Sequence, residues 1–148
     1  MASSRINLPL TSRPRFAIVA SKFNAEYVDA MVAEAQAGLN GYEVKVVRVP
    51  GAFEIPLQVQ RLAKTRRYHA ILALGLVWKG ETQHAEEITR AVTDALMRIM
   101  LEQDTPVIHQ VLSVQTEAQA KERTMGKKLN RGREAAAAAL ALSQLKHH

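Results

Sequence analysis

The segment Gly75-Leu76-Val77-Trp78-Lys79-Gly80-Glu81-Thr82-Gln83-His84 gathers two glycines, a hydroxyl, a carboxylate and an imidazole. Gly75, Gly80 and Thr82 have the spacing of the phosphate-binding loop GxxxxGK[ST], but Glu81 stands where the lysine belongs, so triphosphate chemistry is not expected. A glycine-bearing turn that feeds a helix still directs free N–H groups at an anion, and one small phosphate is the natural guest. His84 falls in the first turn of that helix, beside such an anion. Beside a phosphate it reads as a proton-transfer group; the plainer alternative is a histidine that packs or caps locally. No metal is expected: His69 and His109 have no ligand spacing with His84, and the chain has no cysteine.

Four further groups of residues carry candidate chemistry. Phe23, in Ser21-Lys22-Phe23-Asn24, either stacks on a flat heterocycle or staples the start of a helix. In Val49-Pro50-Gly51-Ala52-Phe53-Glu54-Ile55-Pro56, Gly51 permits a tight turn, and Glu54 either suits a helix dipole or binds a polyol or ring amide. His109 and Gln110 interrupt an apolar run and want polar partners, at an interface or in the core. The basic cluster Lys121, Arg123, Lys127, Lys128, Arg131 and Arg133 is mostly solvated surface, from which one arginine aimed at a phosphate suffices for function.

These residues must be held by a scaffold. The 148 residues, 47% hydrophobic and 23% charged, suffice for one ordinary domain over 14–148, preceded by an arm over 1–13 with apolar Ile6, Leu8 and Leu10. The absence of cysteine excludes a disulfide scaffold. No apolar run is long enough for a membrane span and no leader pattern is visible, so a cytoplasmic protein is expected. The net charge of +6 favours anionic partners, but no nucleic-acid recognition motif accompanies it.

Strand and helix signals alternate. Strands are expected at Arg15–Ala20, Val44–Val49, Ala70–Trp78 and from Pro106 to Val114. Helices are expected after an N-cap at Asn24, around Ile55–Ala63, around Ile88–Ile99, at Thr116–Arg123, and from an Asn130 cap through Leu142, with a kink at Thr124–Leu129. Strand starts about thirty residues apart suit crossover connections, hence a parallel sheet with helices on both faces. Ligands in such sheets sit at the carboxyl ends of the strands, where the segments above fall.

Taken together, Phe23-Asn24, VPGAFEIP (Val49 to Pro56), G-x-V-x-x-G-E-T-x-H (Gly75 to His84), QA-x-ER (Gln119 to Arg123) and N-[KR]-G-x-EAA (Asn130 to Ala136) resemble the 6,7-dimethyl-8-ribityllumazine synthases of riboflavin biosynthesis. The resemblance covers about residues 14–145. It implies a three-layer α/β/α, flavodoxin-like fold with a four-stranded parallel sheet, and a pentameric ring with sites between neighbouring subunits. It implies condensation of 5-amino-6-(D-ribitylamino)uracil with 3,4-dihydroxy-2-butanone 4-phosphate, without cofactor.

Carried over by motif, Phe23 stacks on the pyrimidine, and Ala52, Phe53 and Glu54 hold the ribityl chain. The backbone of Leu76, Val77 and Trp78 lines the pyrimidine site, Glu81 and Thr82 offer N–H groups to the phosphate, and His84 moves protons. An adjacent subunit supplies Arg123 to the phosphate, His109 beside the heterocycle and Arg131 near the ribityl chain.

The chain departs from the family pattern in places. Ala85-Glu86-Glu87 follows His84 where H-F-[DE]-Y is usual, His109-Gln110 replaces Phe-Gly, and Trp78-Lys79 replaces Ile-Arg. Met125-Gly126-Lys127-Lys128-Leu129 is poorer in glycine than the kink of sixty-subunit shells, so a pentamer or decamer is expected at least as readily as a shell. A pentameric riboflavin synthase and a non-catalytic flavin-binding or shell-forming homologue are the competing readings.

Overall fold

The computed structural model describes residues 13–80 and 83–145. Most of the expected arm, and Glu81 and Thr82, lie outside the described residues. Four strands, β1 (Arg15–Ser21), β2 (Glu43–Val49), β3 (Ala70–Trp78) and β4 (Val107–Val114), alternate with α1 (Ala25–Gly38), α2 (Ile55–Lys64), α3 (Gln83–Gln103), α4 (Glu117–Met125) and α5 (Arg131–Ser143). All pairings are parallel, in the order β2-β1-β3-β4. This is the expected three-layer α/β/α, flavodoxin-like arrangement.

The period of two along β1 explains the layers. Phe16, Ile18 and Ala20 face one core with Val28 and Met31 of α1 and Ala135, Ala136 and Ala139 of α5. Ala17 and Val19 face the other, with Val59 and Leu62 of α2 and Val92, Leu96 and Ile99 of α3. A strand buried on both faces cannot alternate polar and apolar residues, which is why β1 and β3 read as continuous apolar runs. Each large apolar side chain so buried contributes about 1.5–3 kcal/mol over its exposed state.

The Ala-rich helix α5 packs closely on α1. A Cβ at Gly132 would lie 2.5 Å from the Met31 carbonyl oxygen, and one at Gly38 would lie 2.6 Å from Ala136 Cβ. Small residues here let the two backbones approach. Asn130 Oδ1 accepts from the Arg133 N–H at 3.0 Å, as an N-cap does, and its Nδ2 donates to the carbonyls of Thr124 and Gly126. The buried Asn130 thereby fastens the expected kink between α4 and α5.

Two local expectations do not hold. Asn24 stands at the N-cap position of α1 but makes no side-chain cap bond; its backbone is left-handed, φ 61°, and its amide is used elsewhere. Residues Ala52–Glu54 form a separate 3₁₀ turn before α2, so Glu54 precedes that helix. Gly75 lies inside β3, as the expected strand over Ala70–Trp78 requires, where a Cβ would meet Ile55 Cδ1 and Ser21 Oγ at 3.2 Å; Gly80, at φ +82°, is the turn glycine.

Candidate active site

The connections leave β1 and β3 toward opposite faces of the sheet, which opens a crevice at their carboxyl ends. A cavity of about 490 Å³ occupies it, within the range of small-molecule sites. Its lining comes from four places in the chain: Phe23 and Asn24 after β1, Gly51 to Glu54 after β2, Leu76 to Trp78 at the end of β3, and His84, Ala85 and Ile88 on α3.

Each wall has a local cause. Beyond β1 the ladder continues into the loops: the Lys22 N–H donates to the Val49 carbonyl at 2.7 Å and the Phe23 N–H to the Pro50 carbonyl at 3.1 Å. This holds Phe23 at the mouth of the cavity, 69% exposed. In the 3₁₀ turn, Glu54 Oε1 accepts from the Gly51 N–H at 2.8 Å. That bond occupies one lone-pair direction and leaves the second carboxylate oxygen for a hydroxyl or ring N–H. Trp78 donates its indole N–H to Asn24 Oδ1 at 3.1 Å, and Asn24 Nδ2 donates to the Leu76 carbonyl at 2.7 Å.

His84 lies in the first turn of α3 with its side chain 75% exposed, so the ring reaches the cavity and is not packed away. Its Nδ1 stands 3.8 Å from Glu87 Oε2, a loose contact between two exposed groups. A ring so placed can accept or return a proton to a bound molecule.

Of the residues singled out from sequence, the structure brings Phe23, Ala52, Phe53, Glu54, Leu76, Val77, Trp78 and His84 around one cavity. Glu81 and Thr82 lie outside the described residues, between Gly80 and α3. His109, Arg123 and Arg131 do not line this cavity within one chain. Arg123 Nη1 donates to the Ser113 carbonyl at 3.4 Å, a long bond that leaves most of the guanidinium unused. Arg131 pairs with Glu134 at 2.7 Å on α5. His109 Nδ1 accepts from the Val111 N–H at 3.1 Å, so the neutral ring carries its proton on Nε2 and donates to Thr93 Oγ1 at 2.8 Å. Burial pushes its pKa below the usual imidazole value.

Sequence reasoning missed the side chain of Asn24 and the wall formed by Ala85 and Ile88. The first was hidden because an asparagine before a helix reads as a cap, the second because apolar residues at helical spacing read as core.

The chain matches the family model described as 6,7-dimethyl-8-ribityllumazine synthase over residues 13–147. It belongs to that family. Similar curated proteins include the 6,7-dimethyl-8-ribityllumazine synthases of Xanthomonas euvesicatoria pv. vesicatoria (strain 85-10), 40% identical over 136 residues, and of Stenotrophomonas maltophilia (strain R551-3), 41% identical over 136 residues. Each match covers 88% of this chain and 88% of the relative. Membership in the 6,7-dimethyl-8-ribityllumazine synthase family agrees with the resemblance of the strand-end motifs, and three of those motifs line the cavity.

Proposed function

We propose that this protein condenses 5-amino-6-(D-ribitylamino)uracil with 3,4-dihydroxy-2-butanone 4-phosphate to 6,7-dimethyl-8-ribityllumazine, releasing phosphate and water, in riboflavin biosynthesis. The observation that carries this reading is the cavity at the ends of β1, β2 and β3 in a chain of this family, with an aromatic face, a carboxylate and an imidazole on its walls. The pyrimidine stacks on Phe23 against the backbone of Leu76 to Trp78. Ala52, Phe53 and the free oxygen of Glu54 hold the ribityl chain. Glu81 and Thr82 offer N–H groups to the phosphate, at the end of α3 where the helix dipole favours an anion.

The amine attacks the ketone and loses water to give an imine. Loss of a proton from the neighbouring hydroxyl-bearing carbon then expels phosphate and leaves an enol; the enol ketonises, the ribitylamino nitrogen closes the ring on that new carbonyl, and a second water is lost. Holding two substrates in contact supplies several kcal/mol of the acceleration, on the order of 7 or more in well-aligned cases. His84 receives and returns the protons that these steps displace, for about a hundred- to ten-thousandfold more. The reaction needs neither an electron acceptor nor a metal.

The site is completed by a neighbouring copy. Arg123 reaches the phosphate, His109 flanks the heterocycle and Arg131 approaches the ribityl side from the adjacent subunit of a pentamer or a multiple of it. Two observations support self-association. The exposed apolar residues Phe53, Leu57, Met97 and Leu101 lie on the α2–α3 layer, and among the described residues the guanidinium of Arg123 makes one long bond, to the Ser113 carbonyl. No helix among the described residues is long and apolar enough to cross a membrane. A cytoplasmic location suits a phosphorylated substrate, which does not cross membranes unaided.

The deciding assay mixes both substrates with the protein and follows the lumazine absorbance; its growth is expected. Incubation with lumazine alone is expected to yield no riboflavin. Riboflavin from lumazine alone would make the protein a riboflavin synthase, and no product from either mixture would leave a non-catalytic homologue.

A further inference from the structure

The side chain of Trp78 does more than line the cavity. Its N–H on Asn24 Oδ1 and the Asn24 amide on the Leu76 carbonyl form one chain of bonds, 3.1 and 2.7 Å long, from the end of β3 to the turn after β1. Only one orientation of the carboxamide makes both bonds, with oxygen toward the indole and nitrogen toward the carbonyl. The buried ring of Tyr27 meets the indole edge-on at 5.7 Å and 82°, which fixes the plane of the indole. Asn24 itself is held at φ 61°, ψ 42°, a left-handed conformation that turns the chain sharply between Phe23 and α1.

We infer that Trp78 is a positioning residue: its indole N–H fixes the Asn24 amide, Asn24 latches the Phe23 turn to the end of β3, and the latch sets the gap in which a flat heterocycle lies. The inference rests on the reading of Phe23 as a stacking face. Phenylalanine at position 78 keeps an aromatic edge for Tyr27 but cannot donate, so Asn24 is free to rotate and the turn loses its tie. One such bond corresponds to about a five- to tenfold effect.

The test is steady-state kinetics on the assembled protein, native, Trp78→Phe, Asn24→Ala and both together, varying each substrate in turn. Each single variant is expected to raise KM for the pyrimidine about five- to tenfold and to leave KM for the butanone phosphate within about twofold. The double variant is expected to be no worse than either single one, because both cut the same chain of bonds. Trp78 is the chain's single tryptophan, so its emission reports the latch directly. In Asn24→Ala the emission is expected to move to longer wavelength as the indole N–H turns to water.

An unchanged pyrimidine KM in Trp78→Phe, equal rises in both KM values, or additive effects would overturn the inference. If Trp78→Phe fails to fold, Asn24→Ser and Asn24→Ala carry the same test. A native protein that forms no lumazine overturns the functional reading instead; the emission of Asn24→Ala then still shows whether the latch exists.

Discussion

Among single residues, His84 matters most to the proposed chemistry. Its exposed ring on the cavity wall is free of packing duties, so His84→Ala is expected to lower kcat by about a hundredfold or more without affecting thermal stability. Stopped-flow or steady-state assays at saturating substrates measure this, with a melting curve as control; an unchanged kcat removes His84 from the chemistry. The position of this residue was legible in the sequence because a glycine turn and a helix start can be read from residue types alone. Asn24 was not, since its identity fits a cap and only the three-dimensional approach of β3 gives its amide other partners. Glu54 was half legible: its carboxylate near a helix start was expected, but the Gly51 N–H that holds it belongs to a 3₁₀ turn with no distinct sequence signal.

At the scale of elements, two joints matter. Asn130 joins α4 to α5 through one accepted and two donated bonds while nearly fully buried. Asn130→Ala strands these groups and is expected to cost about 1–3 kcal/mol, read from denaturant midpoints. Both ends of this joint were legible, because asparagine before a helical run and glycine after one have local causes. The second joint is His109, whose neutral ring ties β4 to Thr93 of α3. Protonation would turn Nδ1 from acceptor to donor and set it against the Val111 N–H. The folded-state pKa is depressed by burial, so the stabilisation is complete above the ordinary imidazole value of about 6.5 and is lost as pH falls from there through the lower folded value. Native protein should therefore lose more melting temperature between pH 7.5 and 5.5 than His109→Gln does, by a scan of both. Equal losses would show that the ring carries no linked proton. The sequence marked His109 as a polar residue in need of a partner but could not supply Thr93, which lies on a different element.

At the scale of the whole molecule, the layered architecture was legible because a parallel sheet leaves apolar runs at about thirty-residue intervals, and the helices between them have periodic apolar faces. Assembly was not, because an interface and a core use the same residue types. The exposed Met97 and Leu101 on α3 decide it experimentally. Sedimentation of the native protein is expected to give five chains or a multiple of five. Placing glutamate at both positions is expected to break the ring, and to abolish turnover with it, since Arg123 then no longer reaches a neighbour's phosphate. A monomer that retains full turnover would show a site complete within one chain.

A two-substrate condensation is proposed for the crevice between β1 and β3. The decisive test is a crystal structure of the protein with lumazine and inorganic phosphate. The heterocycle is expected against Phe23, its ribityl chain beside Glu54, and the phosphate before α3 within reach of His84. Lumazine bound elsewhere, with this crevice filled only by solvent, would contradict it.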